Sequence, residues 1–294
     1  MILLQLLVLL ISATSSLFAE HDLTVCAIFQ DEAPWLREWL EFHMLQGVEH
    51  FYLYNNNSQD NYRQVLDPYI QRGSVSLFDW SLTYENGAHK DWIAIQTGAY
   101  MDCIRRFGAD SKWIAFIDAD EFLFCPDGQK LPHFLKGFKR FGGLCVNWLK
   151  FGTSDIEEIP PDTLMIECLT HCLVHSHREH RYFKSIVQPK YVLDCPQAHC
   201  FTYKDGKYAV GADKSKIHPN TMRKRPIILN SIRINHYITR TARYFREVKI
   251  PSRQKRRARY TPEFQMALAE RLNQYSDKAI LQYVDPLKQA MDIP

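Results

Sequence analysis

The stretch WIAFIDADEFLF, from Trp113 to Phe124, decides how this sequence is interpreted. Its first half is an apolar run that predicts a buried strand, and it ends directly on Asp118, which Asp120 and Glu121 follow. Three carboxylates in one tight turn repel each other and raise each other's pKa unless a positive charge is present. Carboxylate oxygens suit Mg²⁺, Mn²⁺ and Ca²⁺, so the turn predicts a metal site. The alternative is a solvated acidic turn that caps a helix.

Upstream of this stretch, apolar runs alternate with helical patterns. The predicted strands are 23–29, 48–54, 75–80 and 112–117, and helices separate them. This alternation predicts an α/β fold, with a mostly parallel central sheet flanked by helices and joined by right-handed crossovers. Polar clusters at 30–32, 55–60 and 118–121 each follow a predicted strand. Because such sheets bind ligands beyond the carboxyl ends of their strands, we expect these clusters to form the ligand site.

The second half of the sequence is less regular. Segments 144–151, 184–187 and 232–237 predict strands, and the pattern from about 239 to the end predicts helices broken at Pro251 and Pro262. We find no internal repeat, low-complexity tract or linker. The sequence from 20 to 294 is therefore predicted to form a single domain.

The first nineteen residues differ from the rest. Residues 1–10 are almost wholly apolar, and residues 11–19 turn small and polar, which is the layout of a secretory signal. The apolar part is short for a membrane span, which needs about 20 residues. We expect 1–19 to be a signal peptide or a short membrane anchor, although a buried first element or a misplaced start stays open. The protein is then expected in the secretory pathway or associated with a membrane: in the Golgi lumen of a eukaryote, or anchored or secreted in a bacterium.

The composition limits the classes of binding partner that we expect. The net charge of the 294-residue chain is only +3, and no nucleic-acid-binding motif accompanies it, so we expect no nucleic acid partner. The eight cysteines would fit disulfides in an exported chain. The pairs Cys168/Cys172 and Cys195/Cys200, with histidines nearby, leave a zinc site as a minor alternative.

A longer pattern resembles a known family. The stretch VCAIFQDEAPWLREWLEFHMLQGVEHFYLYNNNSQD (25–60), together with WIAFIDADEFLF, resembles glycosyltransferase family 92, which is close kin of glycosyltransferase family 2. The likeness continues in Gln96 and Cys103 and in the stretches 147–155, 184–189 and 234–249, so it covers most of the chain from about 24 to 250.

The resemblance implies the GT-A fold, with residues 20–125 as the nucleotide-binding half and residues 126–294 as the acceptor half with C-terminal helices. It also implies a nucleotide-sugar donor, Mn²⁺ or Mg²⁺, anomeric inversion and a glycan or glycoconjugate acceptor. A UDP-sugar is the favoured donor, and UDP-galactose is favoured among these.

Motif matching assigns the metal residues. Asp118 would contact the donor ribose or the metal, and Asp120 would be a metal ligand. His236 matches a late histidine that completes the metal shell; the alternative is a hydrogen-bonded histidine at a strand end.

Motif matching also assigns a donor-binding rim, whose members are Gln30, Glu32, Asn55 and Asp60. Turn and cap chemistry is an equal alternative for each of them. His89 and Lys90 lie in a loop from which a diphosphate can be approached, and a solvated loop is the alternative.

An inverting transfer needs a general base for the acceptor hydroxyl. Asp155 is our first candidate, ahead of its neighbours Glu157 and Glu158, and Glu121 is held in reserve. Asp155 stands where the family pattern leads us to expect glycine, which weakens the assignment. The cations between 240 and 259 are expected to form a solvated helical face, and the alternative is that they bind an anionic acceptor, a lipid headgroup or the donor phosphates.

Two other function classes stay open. A sugar-phosphate nucleotidyltransferase uses similar carboxylate and metal chemistry but usually needs a Gly-rich basic loop, where this chain has Gln30-Asp31-Glu32. A non-catalytic protein that binds a glycan or another partner would have no need of Asp118, Asp120 and His236.

Overall fold

The computed structural model describes residues 21–82, 89–217, 225–256 and 261–294. Its strands are β1 (His21–Phe29), β2 (His50–Asn55), β3 (Val75–Asp79), β4 (Ser111–Phe116), β5 (Glu121–Phe124), β6 (Gly143–Lys150), β7 (His171–Cys172), β8 (Phe183–Val187), β9 (Val192–Gln197), β10 (Cys200–Tyr203), β11 (Ala209–Val210), β12 (Arg233–His236) and β13 (Tyr275–Ser276). Its α-helices are α1 (Ala33–Leu45), α2 (Tyr62–Gln71), α3 (His89–Phe107), α4 (Leu131–Leu135), α5 (Met165–Cys168), α6 (Ala242–Tyr244), α7 (Ile250–Arg256), α8 (Pro262–Leu272) and α9 (Val284–Ala290).

One large sheet organises these elements, with strand order β3-β2-β1-β4-β8-β6-β12-β5 and β11 paired to β6. Strands β3, β2, β1 and β4 are parallel, as the alternating pattern predicts. Strand β8 runs antiparallel between β4 and β6, and β12 is parallel to β6. The α/β class is confirmed, with a parallel first half and a mixed second half.

Strand β1 shows why the first half could be recognised in the sequence. Every residue from Leu23 to Phe29 is buried. Val25 and Ala27 face the core that contains α1 and α2, whereas Cys26 and Ile28 face the core beneath α3. A strand buried on both faces gives an unbroken apolar run.

Strand β5 leaves the parallel half and pairs antiparallel with β12. This register sets His236 opposite Glu121 and Asn235 opposite Phe122. The short link from β4 to β5 therefore carries the acidic turn to the end of β12, which brings a late histidine beside it.

The C-terminal segment corrects our prediction. Helix α6 continues through a π-turn, Phe245–Lys249, into α7, so Pro251 does not break the helix. Pro262 instead begins α8, where the Thr261 hydroxyl accepts a hydrogen bond from the Phe264 N–H. Strand β13, the 3₁₀ turn Ala279–Tyr283 and helix α9 complete the chain.

All eight cysteines are free in the structure, and seven of them are buried, so it contains none of the disulfides considered for an exported chain. Within the ranges that the structure covers, no helix has both the length and the apolar character needed to cross a membrane. The predicted leader, residues 1–19, lies outside the described residues.

Candidate active site

The acidic turn after β4 is closed by its own atoms. The backbone N–H of Asp118 donates to the Glu121 carboxylate at 2.9 Å, and the Glu121 N–H donates to the Asp118 carbonyl at 3.0 Å. The Glu121 side chain is fully buried beneath the turn. Burial, together with the charges of Asp118 and Asp120, raises the pKa of Glu121 well above its usual range, although Lys184 opposes the shift.

Asp118 is held by two side chains from neighbouring elements. The buried ammonium of Lys184, on β8, lies 2.8 Å from Asp118 Oδ1 and 3.8 Å from Glu121 Oε2. Gln96, on α3, donates to the same Asp118 oxygen at 2.9 Å. Burial alone would lower the pKa of Lys184, but Asp118 and Glu121 outweigh it and raise that pKa well above its usual range. Asp118 therefore sits in a fixed ion pair.

Asp120 meets a histidine and a second lysine. Its Oδ1 lies 3.4 Å from His236 Nε2, and its Oδ2 lies 3.0 Å from Lys249 Nζ. Burial raises the pKa of Asp120, but Lys249 and His236 outweigh it and hold that pKa well below its usual range. Burial lowers the pKa of His236 despite the pull of Asp120. A carboxylate and a neutral imidazole are the protonation states that metal binding requires.

These groups fit a divalent cation. Asp120, Glu121 and His236 each offer a ligand atom, and the three atoms lie within 4.8 Å of one another. Among the described residues, buried Glu121 Oε1 and His236 Nδ1, 4.0 Å apart, have no hydrogen-bond partner. A buried acceptor without a partner is costly, and a bound cation would offset that cost. Two carboxylates and an imidazole suit Mn²⁺ or Mg²⁺.

The observed cluster of possible metal ligands differs in one residue from the predicted metal ligands. The structure brings Asp120 and His236 together as predicted, but it adds Glu121 where the sequence suggested Asp118. In the part of the chain that the structure covers, this is the one cluster of three or more His, Cys, Asp or Glu side chains with such geometry. The zinc alternative at Cys168, Cys172 and their neighbours therefore finds no support.

A cavity of about 480 Å³ opens over the acidic turn. It lies at the carboxyl ends of β1 and β4, where the parallel sheet predicts a ligand site. Its walls are Ile28, Phe29, Gln30, Asp31, Glu32, Trp92, Asp118, Ala119, Asp120, Tyr244, Val248, Lys249 and Ser252.

Of the predicted donor-binding rim, Gln30 and Glu32 line this cavity, but the Glu32 carboxylate is already paired with another side chain. Its carboxylate accepts a 2.7 Å hydrogen bond from buried Arg240, which also donates to the Ala119 carbonyl at 2.9 Å. This pair ties the start of α1 to the acidic turn.

Asn55 and Asp60 perform the turn and cap chemistry that was their alternative. Asn55 accepts from the Ser58 N–H at 3.0 Å, and Asp60 accepts from the Ala33 N–H at 2.7 Å. Neither lines the 480 Å³ cavity. The side chains of His89 and Lys90 lie outside the described residues.

Neither candidate base faces the cavity over the acidic turn. Asp155 lines a separate cavity of about 260 Å³ that has no lining residue in common with the larger one. Its carboxylate accepts a 2.9 Å hydrogen bond from Asn273. Glu121 is enclosed, so an acceptor hydroxyl would not reach it. The sequence offered Asp155 as the base because it follows the Phe151-Gly152 turn, but the structure places it in this separate cavity.

The chain is similar to known proteins over most of its length. The family model described as glycosyltransferase family 92 matches residues 21–283. The chain belongs to glycosyltransferase family 92. A family 92 protein of Ricinus communis is 26% identical over 201 residues, which are 66% of this chain and 34% of that protein. A β-1,4-galactosyltransferase of Caenorhabditis elegans, galt-1, is 28% identical over 111 residues, which are 35% of this chain and 25% of that protein.

The family 92 chain thus spans about a third or less of the length of these relatives. Among solved structures, S. aureus TarS 1–349 in complex with UDP-GlcNAc is 10% identical, with a TM-score of 0.38, over 93% of this chain and 76% of that one. The predicted GT-A fold is supported by the observed sheet topology and the family match, and not by this weak structural likeness.

Three residues of the family 92 site escaped the motif-based assignment: Lys184, Arg240 and Lys249. Lys184 carried a signal, because it is a lone charge in the apolar strand FKSIV. For Arg240 and Lys249 the solvated-face alternative is wrong, since Arg240 is fully buried and Lys249 pairs with Asp120. Further along, Arg243 and Arg246 are exposed and pair with Glu158 and Glu157.

Proposed function

We propose that this protein is an inverting, metal-dependent glycosyltransferase that moves a hexose from a nucleotide sugar, UDP-galactose in first place, to a hydroxyl of a glycan. The observation that carries the proposal is the convergence of Asp120, Glu121 and His236 beyond the carboxyl end of β4, where Asp120 also lines the 480 Å³ cavity. Family membership supports the reaction class. Relatives named as β-1,4-galactosyltransferases, from Caenorhabditis elegans and Arabidopsis thaliana, support galactose.

Asp120, His236 and Glu121 would hold Mn²⁺ or Mg²⁺. A bound cation of this kind neutralises the charge that develops on a diphosphate leaving group. The remaining work falls to the chain itself. Lys184 and Gln96 hold Asp118 in place, where it would accept a hydrogen bond from the donor ribose or support the cation.

His236 is oriented by packing. The Trp148 ring lies against its imidazole with ring centroids 4.5 Å apart, and only 8% of Trp148 is exposed. This indole holds the ring with Nε2 toward Asp120. Side chains that support a ligand in this way set the precision of a site.

The acceptor would enter on the side of α6 and its π-turn that faces away from the 480 Å³ cavity, which we call the donor cavity. A second cavity, of about 630 Å³, shares Tyr244 and Val248 with the donor cavity. Trp35 and Tyr244 stand in its wall with ring centroids 5.8 Å apart, which offers an aromatic surface to a sugar ring. Glu158 lines this cavity too, whereas Asp155 does not.

We therefore propose Glu158, rather than Asp155, as the general base. In the structure, the Glu158 carboxylate is paired with Arg243. Both side chains are more than half exposed, so the pair is weak and can open to an acceptor hydroxyl. Attack from this side, with the leaving group on the other, gives inversion.

The test is sugar transfer by the intact chain. UDP- and GDP-sugars are offered with β-galactan oligosaccharides, in Mn²⁺ or in EDTA, and product anomers are assigned by NMR. The proposal predicts Mn²⁺-dependent transfer from one donor with inversion, and a loss of about 100-fold or more in Glu158→Gln. A nucleotidyltransferase would instead release pyrophosphate from a nucleoside triphosphate and a sugar phosphate. Glycan binding with no turnover of any donor would favour the non-catalytic alternative.

A further inference from the structure

The π-turn Phe245–Lys249 points two cations in different directions. Arg246 points to Glu157 at 2.7 Å, beside the cavity that also contains Asp155. Lys249 ends the π-turn and lines the donor cavity instead. An extra residue in a helical turn rotates the next part of the helix by about 100°, and π-turns of this kind recur at functional sites. The turn thus supplies the rotation that aims Lys249 at the acidic turn.

Lys249 occupies the carboxylate that a cation would need. Its Nζ lies 3.0 Å from Asp120 Oδ2, and only 18% of the Lys249 side chain is exposed. The other carboxylate oxygen, Oδ1, faces His236 at 3.4 Å. Both oxygens of Asp120 are therefore engaged, one of them by a full positive charge.

The charge balance makes a cation alone a poor ligand for this site. Asp118 is paired with Lys184, and Asp120 is paired with Lys249. A divalent cation at Asp120 would face the Lys249 ammonium across one carboxylate, and like charges at this distance repel. A nucleotide diphosphate brings negative oxygens to the same place. These give the ammonium a new partner, since lysine is a long, flexible phosphate-binding side chain.

Building on the proposed function, we propose that Lys249 makes cation binding depend on the nucleotide. In the free protein its ammonium stands in for the metal at Asp120. When the donor binds, the ammonium moves to the diphosphate and releases Asp120 for the cation. Lys249 is thus a donor-binding residue as well as a positioning residue for the metal ligand, and it couples the two sites energetically.

The test measures Mn²⁺ and UDP affinities by calorimetry, each alone and with the other saturating, for wild type and Lys249→Met. In wild type, UDP should tighten Mn²⁺ binding strongly. In Lys249→Met, Mn²⁺ alone should bind about tenfold more tightly, and UDP in saturating Mn²⁺ about tenfold more weakly, as expected for loss of one charged hydrogen bond. UDP without Mn²⁺ should bind nearly as it does to wild type, because in that complex Lys249 gains the diphosphate but gives up Asp120. The factor by which each ligand tightens the other should then fall about tenfold.

Two further variants keep the result interpretable. Lys288→Met makes the same chemical change and removes an ion pair to Glu167 on another face, so it should behave as wild type. Lys249→Arg keeps the charge and should preserve weak Mn²⁺ binding in the absence of UDP. If Lys249→Met fails to fold, the arginine variant carries the test, because wild-type coupling in it supports the charge argument and a tightened Mn²⁺ affinity overturns it.

The outcomes separate the two proposals. If wild type shows no Mn²⁺-dependent UDP binding, the proposed function fails and this inference fails with it. If wild type does bind, but Lys249→Met leaves both affinities and their coupling unchanged or weakens Mn²⁺ binding alone, only the role of Lys249 is overturned.

Discussion

Replacing Arg240 by methionine should destabilise the fold by about 3–5 kcal/mol, the usual cost of breaking a buried ion pair from one side. The Arg240 side chain has no exposed surface, and it spans 2.7 Å to Glu32 and 2.9 Å to the Ala119 carbonyl. Its guanidinium also lies over the Trp35 ring, 5.0 Å from the centroid. Methionine fills much of the same space but leaves the Glu32 carboxylate, only 12% of which is exposed, without its partner.

The same change on an exposed pair is the control. Arg246 pairs with Glu157 at 2.7 Å, but 44% and 64% of these two side chains are exposed. Arg246→Met should therefore cost about 1 kcal/mol or less. Combining Arg240→Met with Glu32→Gln should recover part of the loss, because no unpaired carboxylate then stays buried.

Urea unfolding at constant pH measures these values, provided the slope m is unchanged. At about 2–4 °C per kcal/mol, Arg240→Met should also lower Tm by about 6–20 °C. A loss as small as that of Arg246→Met would refute the reasoning. It would mean that Glu32 is not held by Arg240 and is free to serve the donor, as the motif match suggests.

Three further changes have defined outcomes. Burial raises the pKa of Glu38 to about 7, so its contribution to stability is complete below its unfolded pKa near 4.5 and is lost as pH rises to about 7. The free energy of unfolding of Glu38→Gln, measured by chemical denaturation relative to wild type, should thus rise by up to about 3 kcal/mol between pH 4.5 and pH 7. A difference from wild type that does not change with pH would contradict the raised pKa of Glu38. A thiol titration in denaturant without reductant should count eight cysteines, and fewer would reveal disulfides. Gly152→Ala should cost about 1–3 kcal/mol in urea unfolding, because its Cβ would lie 2.1 Å from Asn273 Oδ1 and 2.9 Å from the Leu272 backbone; no loss would mean that this contact relaxes freely.

The parallel half of the fold could be predicted because its signals are local. Strand β1 is one apolar run, and α1 begins at Ala33-Pro34 and ends before Gly47, whose φ is +93°. The acidic turn was recognisable for the same reason, since β4 ends beside Asp118. Local patterns of this kind can be recognised in the sequence without knowledge of the tertiary structure.

The rest depends on contacts between distant parts of the chain. Only the family resemblance pointed to His236, because the register in which β12 pairs with β5 places this residue beside Glu121 and no local pattern around His236 indicates that register. Motif matching assigned Glu32 to the donor, but its observed partner is Arg240, which lies far along the sequence. Asp155 was the first candidate base, and the sequence does not show that its carboxylate pairs with Asn273.

The π-turn illustrates a different limit. Pro251 is a helix breaker in most contexts, since it lacks an N–H and its ring clashes with the preceding turn. Here the wide turn from Phe245 to Lys249 precedes it, and the helix continues. The turn ends at Lys249, whose partner Asp120 lies far away in the sequence, so local helix signals do not indicate it.

The central claim is that Asp120 joins a cation to a nucleotide-sugar donor, and donor binding tests it most directly. UDP-galactose is titrated by calorimetry into wild type, Asp120→Asn and Asp127→Asn, in Mn²⁺ and in EDTA. Asp127 is an exposed turn residue whose carboxylate accepts a hydrogen bond from the nearby Gln129 N–H, and it does not line the donor cavity, so it is the matched control. We predict tight binding in Mn²⁺ for wild type and Asp127→Asn, with a loss of about 100-fold or more in EDTA and in Asp120→Asn. Equal binding by all three proteins, with or without Mn²⁺, would contradict the account.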